Sequence, residues 1–185
     1  MAKKALDSTV LDSYLQQLAA GDRDSFRKLY ELLQEPIFLF ALSLVKNRQT
    51  AQDILQECML RIVRSAQQYQ PGTNAKAWIF SIARNLCNDV LRDPHIRDLP
   101  LDAAKTFLGS PSDLTQPLEE AETVLAALQI LSPQEREIVS LYVYTGLQQT
   151  EIAKALHLPY VRVRSIYKYA IKKLRVYFEK ESEQP

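Results

Sequence analysis

The sequence predicts an all-α protein made of two small helical domains that a flexible linker joins. Glycine is scarce, with 4 among 185 residues, while 46% of the residues are hydrophobic. Leu, Ala, Gln, Glu, Lys and Arg predominate, and these side chains lose little rotamer freedom in a helix. Apolar residues recur at helical spacing except in 93–117, where prolines interrupt the pattern. We therefore expect domains at 1–92 and 118–185, with the linker between them.

The first helices are marked by apolar spacing and by local stop and start signals. Leu11, Leu15 and Leu18 lie on one helical face, and Gly21 ends that segment. Asp22 follows as a candidate N-cap, because its carboxylate can accept hydrogen bonds from the free N–H groups of the next helix.

The second helix contains Pro36 and is apolar on all sides beyond it. Pro36 should kink or restart this helix, since proline lacks the N–H that bonds to the preceding turn. The apolar residues are Ile37, Phe40, Ala41, Leu44 and Val45 on one face and Phe38, Leu39 and Leu42 on the other. A helix that is apolar all round belongs at the centre of a bundle.

Two amphipathic helices with a loop between them complete the first half. In 50–67 the predicted inner stripe is Ile54, Leu55, Cys58, Met59, Ile62, Val63 and Ala66. The composition of 69–74 favours a loop, because Pro, Gly and Asn cluster there. In the next helix the residues predicted to face inward are Trp78, Ile79, Ile82, Ala83, Leu86 and Val90.

The second half has the outline of a helix-turn-helix. Ser132 and Glu135 form a capping box around Pro133, and Gly146 ends the helix that starts there. A short helix, a tight turn and a longer basic helix follow. The net charge of the chain is only +1, but seven Lys and Arg against one Glu give 160–180 a charge of +6. A basic segment of this kind can hold a phosphate backbone.

The cysteines and the lack of targeting signals bear on the compartment. Cys58 and Cys87 have no metal-binding spacing, so we expect buried thiols and no metal or cofactor. No secretory segment and no apolar run long enough to span a bilayer occurs. We expect a cytoplasmic protein without direct membrane insertion.

Five short runs resemble, in order, the extracytoplasmic-function sigma factors of bacterial RNA polymerase, a group of the sigma-70 family. The runs are AGD at 20–22 with Phe26, AQDILQE at 51–57, AWIFSIARNL at 77–86, LSPQERE at 131–137 and EIAKAL at 151–156. The resemblance implies a sigma-2-like bundle at 1–92 and a sigma-4-like helix-turn-helix at 118–185. It further implies a promoter-specificity subunit that binds core RNA polymerase and promoter DNA, under the control of an anti-sigma factor.

One face of the 50–67 helix is the candidate polymerase-binding surface. Asp53, Gln56, Glu57 and Leu60 share this face by their spacing. A solvated face with a Glu57–Arg61 ion pair fits the same spacing. The resemblance instead implies docking on the clamp coiled coil of the polymerase's largest subunit.

The helix that follows, with its preceding loop, is the candidate −10 surface. The resemblance implies DNA contacts from Tyr69, Ser81, Arg84, Asn85, Asn88 and Arg92. In this set Tyr69 is expected to stack on an unpaired base and Asn85 to bond a base edge. Ordinary surface polarity is the alternative for Ser81 and Asn88, and Trp78 is assigned mainly to the core.

The last helix is the candidate −35 surface. The residues predicted to face DNA are Arg162, Arg164, Ser165, Lys168 and Tyr169. The family usually has Gly at the position of His157, Thr at that of Arg162, and Arg at those of Ile166 and Tyr169. We therefore expect a strained turn at His157 and an atypical −35 sequence.

Two other functions remain open. A sigma-like decoy or adaptor would bind polymerase or an anti-sigma factor without reading DNA, and the altered recognition helix is compatible with it. A stand-alone helix-turn-helix regulator would account for 131–180 but not for 77–86. The sequence has no Walker motif, HExxH motif or convincing Ser/His/Asp set, so an enzyme is not expected.

Overall fold

The computed structural model describes residues 6–92 and 118–182, whose regular structure is helical. The helices of these ranges are α1 Ser8–Ala19, α2 Arg23–Val45, α3 Arg48–Ser65, α4 Ala75–Arg92, α5 Leu118–Leu128, α6 Pro133–Thr145, α7 Gln149–Ala155 and α8 Tyr160–Ser182. The all-α prediction is confirmed, and the predicted linker lies outside the described residues. Within them, no helix has the length and apolar character needed to cross a membrane.

Several helix ends are set by the capping contacts that the sequence predicts. The Asp22 carboxylate accepts a hydrogen bond from the Asp24 N–H at 3.0 Å, at the start of α2. At the start of α6 the Ser132 hydroxyl accepts from the Glu135 N–H, and the Ser132 N–H donates to the Glu135 carboxylate at 2.9 Å. Gly146 ends α6 with a positive φ of 68°. These predictions are confirmed because capping depends on neighbours in sequence.

Helix α2 runs through Pro36 without interruption, so the proline does not restart it, and the kink that was the other expectation stays a prediction. Pro36 is buried, and so are Ile37, Phe40 and Ala41 around it. A proline in a helix interior costs about 3 kcal/mol or more. Burial of this wholly apolar segment offsets that cost, because each large side chain removed from water contributes about 1.5–3 kcal/mol.

The first domain is built around α2, which packs against α1, α3 and α4. Phe40 of α2 contacts Phe80 of α4 edge to face, with ring centroids 5.7 Å apart and planes at 86°. Both rings are buried. The prediction that this helix lies at the centre of the bundle is confirmed, and Phe80 is a core residue.

The second domain contains α5 to α8, and a buried arginine joins two of them. The guanidinium of Arg136 in α6 donates to the carbonyls of Leu128 at 3.0 Å and Leu131 at 2.9 Å. The Leu128 carbonyl belongs to the last residue of α5 and also accepts from the Leu131 N–H at 3.2 Å, while the Leu131 carbonyl lies three residues beyond that helix. Arg136 therefore acts as a side-chain cap that fixes α5 against the helix-turn-helix.

The two domains are in direct contact, because α2 also packs against α6. The hydroxyl oxygens of Ser43 in α2 and Ser140 in α6 lie 2.8 Å apart, at hydrogen-bond distance. Both side chains are fully buried. The chain is thus in a closed arrangement, in which the central helix of the first domain also supports the second.

Candidate functional site

The predicted polymerase-binding face of α3 points outward. Asp53 and Gln56 are exposed, and Leu60 retains 48% of its surface. Val63, one turn further along, is also exposed, although the sequence places it in the inner stripe. The period of α3 leaves Val63 at the margin of the buried stripe, so it adds to the apolar surface of Leu60. An apolar centre with a polar rim is typical of protein interfaces.

The charges on this face are partly balanced within α3. Arg61 Nε lies 2.9 Å from a Glu57 carboxylate oxygen, so the pair that the spacing predicts does form. Gln49 donates to Asp53 at 3.1 Å. Both contacts lie within one helix and are open to solvent in part or in full, so a partner can replace them at little cost in free energy.

Tyr69 is buried, and this contradicts its expected role in stacking on an unpaired base. Only 5% of its surface is exposed, and its ring packs on Trp78 with centroids 5.2 Å apart. Its hydroxyl donates to the Asp12 carboxylate at 2.5 Å. Burial, together with the bond to Asp12, raises the pKa of Tyr69. Tyr69 therefore supports the loop from beneath and is removed from the candidate DNA contacts.

Asp12 of α1 holds the loop before α4 in place, a role that the sequence does not indicate. Its carboxylate accepts from the Tyr69 hydroxyl and from the Gly72 N–H at 2.9 Å. These two bonds lower the pKa of Asp12, the Tyr69 bond more strongly. The contact spans about sixty positions of sequence, so only the packing of α1 beside the loop reveals it.

The predicted −10 residues of α4 differ in their availability. Asn85 and Arg92 are exposed, and Asn88 is half-buried. The Ser81 hydroxyl donates to the Trp78 carbonyl at 2.7 Å within its own helix. In the closed chain, Asn85 and Arg92 are the members of this set that are freest to meet DNA.

Arg84 is bound to the second domain. Its Nε lies 2.7 Å from a carboxylate oxygen of Glu137 in α6, and both side chains are largely shielded from water. Glu137 is part of the LSPQERE run but was not a candidate site residue. In this arrangement the carboxylate of Glu137 occupies the guanidinium of Arg84 through a charge-assisted hydrogen bond.

Two further contacts tie the loop before α4 to the helix-turn-helix. The Asn74 side chain accepts from the Ala77 N–H at 3.0 Å, which caps α4, and donates to the Glu151 carboxylate. The Lys76 ammonium donates to the Gly146 carbonyl at 3.2 Å. The sequence predicts the loop but not these contacts, since each joins residues at least seventy positions apart.

The helix-turn-helix is formed by α7, a tight turn and α8, as predicted. His157 in the turn has a φ of 52°, and its N–H donates to the Lys154 carbonyl at 3.2 Å. The expected positive φ at this non-glycine residue is confirmed. The His157 side chain is exposed, so no packing against neighbouring residues opposes the positive φ that the turn requires.

The outward face of α8 carries every residue predicted for the −35 surface. Arg162, Arg164, Ser165 and Lys168 are exposed, and Tyr169 keeps 64% of its surface. The opposite face packs through Val163 and Ala170, which are fully buried. Ile166 is half-buried against the core. An apolar residue at that position therefore improves packing where an arginine would extend toward solvent.

The described residues contain no cluster of His, Cys, Asp and Glu that could hold a metal ion. Cys58 and Cys87 are both free and fully buried, as predicted. Burial raises the pKa of each thiol to about 12, which leaves them unreactive at neutral pH.

The two halves match two family models in the expected order. Residues 29–95 match sigma-70 region 2, and residues 127–176 match sigma-70 region 4. The chain belongs to the sigma-70 family of RNA polymerase sigma factors. Sigma factors bind core RNA polymerase and direct it to promoter DNA, so the function predicted from the sequence is confirmed.

Curated relatives from several bacteria support this membership. RNA polymerase sigma factor CarQ of Myxococcus xanthus is 30% identical over 75% of this chain and 80% of its own length. ECF RNA polymerase sigma factor SigX of Bacillus subtilis is 26% identical, with 84% of each chain covered. The chain spans 59% of the length of the relative BldN of Streptomyces coelicolor, at 28% identity.

Solved structures share the fold. CnrH, solved in complex with the cytosolic domain of CnrY, superposes with a TM-score of 0.70 over 92% of this chain and 98% of that chain, at 21% identity. The sigma factor RpoE of Bartonella quintana, solved with the anti-sigma factor NepR, gives a TM-score of 0.64 at 23% identity, over 83% and 96% of the two chains. The superposition on CnrH extends over both domains.

Proposed function

We propose that this sigma factor binds its partners through three separate helical surfaces. The α3 face binds the clamp coiled coil of core RNA polymerase, α4 contacts the −10 element, and α8 reads the −35 element. The observation that carries this division is the exposure of Leu60 on α3, Asn85 on α4 and Arg162 on α8, each on a helix that packs through its opposite side. These side chains are available to a partner in the closed chain, whereas Arg84 of α4 is bound to Glu137.

The α3 face suits a protein partner better than DNA. Asp53 and Glu57 would repel a phosphate backbone, whereas Leu60 and Val63 supply an apolar centre. Acidic side chains at its edge would meet cations of the clamp and fix the orientation of docking.

On α4, Asn85 is the residue best placed to bond an unpaired base. An amide presents a donor and an acceptor at once, which matches the Watson–Crick edge of a base. It is exposed in the middle of the helix, between two positions that carry arginine. The helix thus combines backbone attraction with a group able to read a base.

On α8, the exposed cations near the start of the helix suit the major groove. Arg162 and Arg164 lie in its first two turns, and Lys168 follows one turn later. A recognition helix contacts base edges through its N-terminal residues, while flanking cations hold phosphates.

We further infer that an anti-sigma factor controls this chain. The structure superposes on two proteins that were solved with a binding partner, CnrH with the cytosolic domain of CnrY and the sigma factor RpoE with the anti-sigma factor NepR. The closed arrangement with Arg84 bound to Glu137 is a form that such a partner could bind and hold.

Co-elution with bacterial core RNA polymerase on gel filtration tests the docking surface. The wild-type chain should elute in a stoichiometric complex, and the double charge reversal Asp53→Arg with Glu57→Arg should abolish it. A control with the same change in net charge, Glu31→Arg with Glu179→Arg, alters exposed acids on α2 and α8 and should leave the complex intact.

The outcomes separate the proposal from its alternatives. Binding that the α3 reversal does not weaken would contradict the assignment of this face. A complex that forms normally but never yields a transcript from any promoter sequence would indicate a decoy. Absence of binding at low salt by the folded free chain would favour a stand-alone regulator.

A further inference from the structure

Val161, in the first turn of α8, is the most exposed large apolar side chain among the described residues, at 74%. It was not among the residues predicted to contact DNA. Its neighbour Val163 is fully buried, so the two valines of this turn face in opposite directions. The core therefore uses Val163 and makes no use of Val161.

The surroundings of Val161 are cationic and polar. Arg164, Ser165 and Lys168 follow it by three, four and seven positions, so all four side chains share one face of α8. The three polar residues are exposed and belong to the proposed −35 surface. An isolated apolar residue on a protein surface needs no explanation by itself. Here, however, Val161 is the first residue of the α8 face that is proposed to enter the DNA groove.

The major groove offers one apolar feature that such a residue can recognise. Thymine carries a C5-methyl group there, whereas the other bases present hydrogen-bond donors and acceptors. The N-terminal turn of a recognition helix approaches base edges most closely, and Val161 is its second residue. The branched end of valine matches a methyl group in size and polarity.

We propose that Val161 contacts the C5-methyl group of a thymine in the −35 duplex and selects for thymine at that position. The proposal rests on the proposed role of α8 and adds a specificity-determining residue to it. The cations of the stripe hold phosphates regardless of sequence, so sequence preference must come from side chains that reach the bases. Val161 is one of these.

The test uses the full-length chain bound to core polymerase and duplexes selected by that complex from a random-sequence pool. Each thymine of the enriched −35 element is replaced in turn by deoxyuridine, which removes only the methyl group. At one position this change should weaken wild-type binding about fourfold, since the burial of a methyl group is lost. The Val161→Ala variant should bind thymine more weakly and show no difference between the two bases at that position.

Val176→Ala is the matched control. Val176 is also an exposed valine of α8, with 42% of its surface free, and lies about 22 Å further along the helix. This variant should keep the wild-type ratio between thymine and deoxyuridine. Truncation of either valine leaves the core intact, so both variants should fold.

The possible failures are distinct. If the complex enriches a −35 element but deoxyuridine is tolerated at every position, the role of Val161 is overturned while that of α8 stands. The role of Val161 is also overturned if Val161→Ala keeps the wild-type ratio between the affinities for thymine and for deoxyuridine. If no upstream sequence is enriched, the reading of DNA by α8 fails, and the contact to thymine fails with it.

Discussion

The Arg84 side chain of the candidate promoter-melting helix forms an ion pair with Glu137 of the other domain, with a 2.7 Å separation between Nε and the nearer carboxylate oxygen. Two consequences follow from this pairing. Arg84 is not available to DNA while the chain is closed, and the closed arrangement gains a partly buried ion pair. Separation of the two domains must therefore break this ion pair.

Glu137→Gln should destabilise the free chain by about 1–2 kcal/mol, because it leaves the shielded guanidinium of Arg84 without a charged partner. Urea unfolding measures this change. Glu57→Gln is the control, since it removes a similar pair with Arg61 that is more open to solvent and lies within one helix. That variant should lose about 0.3–0.5 kcal/mol. Equal losses of unfolding free energy for the two variants would show that the ion pair between the domains stabilises the chain no more than the pair within α3.

Asn85→Ala should impair promoter opening about tenfold and leave polymerase binding unchanged, because the loss is confined to a hydrogen bond with an unpaired base. Permanganate footprinting of the opened strand measures promoter opening, and gel filtration measures polymerase binding. Gln68→Ala serves as the control and should open promoters normally, because it removes an exposed amide from the short 3-10 helix Ala66–Gln68 that follows α3. Equal open-complex yields for Asn85→Ala and wild type would remove Asn85 from the site.

Arg162→Ala should reduce the salt dependence of upstream duplex binding by about one unit in the slope of log K against log salt. The measurement is a titration of the polymerase-bound chain at several salt concentrations. Lys180→Ala removes a cation from the last turn of the same helix, about 27 Å away, and should leave the slope unchanged. An identical slope for Arg162→Ala and wild type would argue against a phosphate contact.

The two buried thiols should resist modification and should make stability depend on alkaline pH. Their pKa values near 12, against an ordinary 9.0, mean that the folded chain retains the thiol protons longer than the unfolded chain does. Their contribution to stability is full below pH 9 and is lost as the pH rises toward 12.

This dependence can be isolated by comparison with the Cys58→Ala, Cys87→Ala double variant. The difference in unfolding free energy between wild type and variant should shrink between pH 8 and pH 10.5. At pH 8, a thiol reagent should label the native chain only as fast as it unfolds. Rapid labelling of native protein would contradict the burial of both residues.

His157→Gly should stabilise the chain by about 0.5–1 kcal/mol, because glycine adopts the positive φ of this turn without a steric penalty. A rise of about 2–4 °C in Tm would correspond to the upper value. Lys172→Gly, at an exposed position inside α8, should instead lower stability by about 1 kcal/mol. A lower Tm for His157→Gly would show that the histidine makes a contact that outweighs the backbone strain.

The sequence predicts features that depend on neighbouring residues and misses those that depend on tertiary contact. The caps at Asp22 and Ser132 and the break at Gly146 follow from local chemistry, and all three are found. Pro36 also follows a local rule, but burial of the surrounding helix overrides that rule. A prediction from neighbouring residues therefore fails where the free energy of packing exceeds the unfavourable helix propensity of a single residue.

In the candidate site, too, the sequence predicts what depends on neighbouring residues and misses what depends on tertiary contact. The outward residues of α8 follow from helical period alone, because one side of that helix is clearly apolar. Tyr69 could not be placed from the sequence, since its burial depends on Asp12 in a different helix. The partnership of Arg84 with Glu137 was equally inaccessible, because no local pattern indicates which surface of one domain meets the other.

The hydroxyl pair between Ser43 and Ser140 links the opening of the chain to water activity. Both groups are fully buried, and the Ser43 hydroxyl lies at hydrogen-bond distance from the Phe40 carbonyl, at 2.7 Å, as well as from Ser140, so separation of the domains must hydrate two oxygens that are dry in the closed form. Solutes that are excluded from protein surfaces favour the less hydrated state. Osmotic stress should therefore favour the closed arrangement of the free chain.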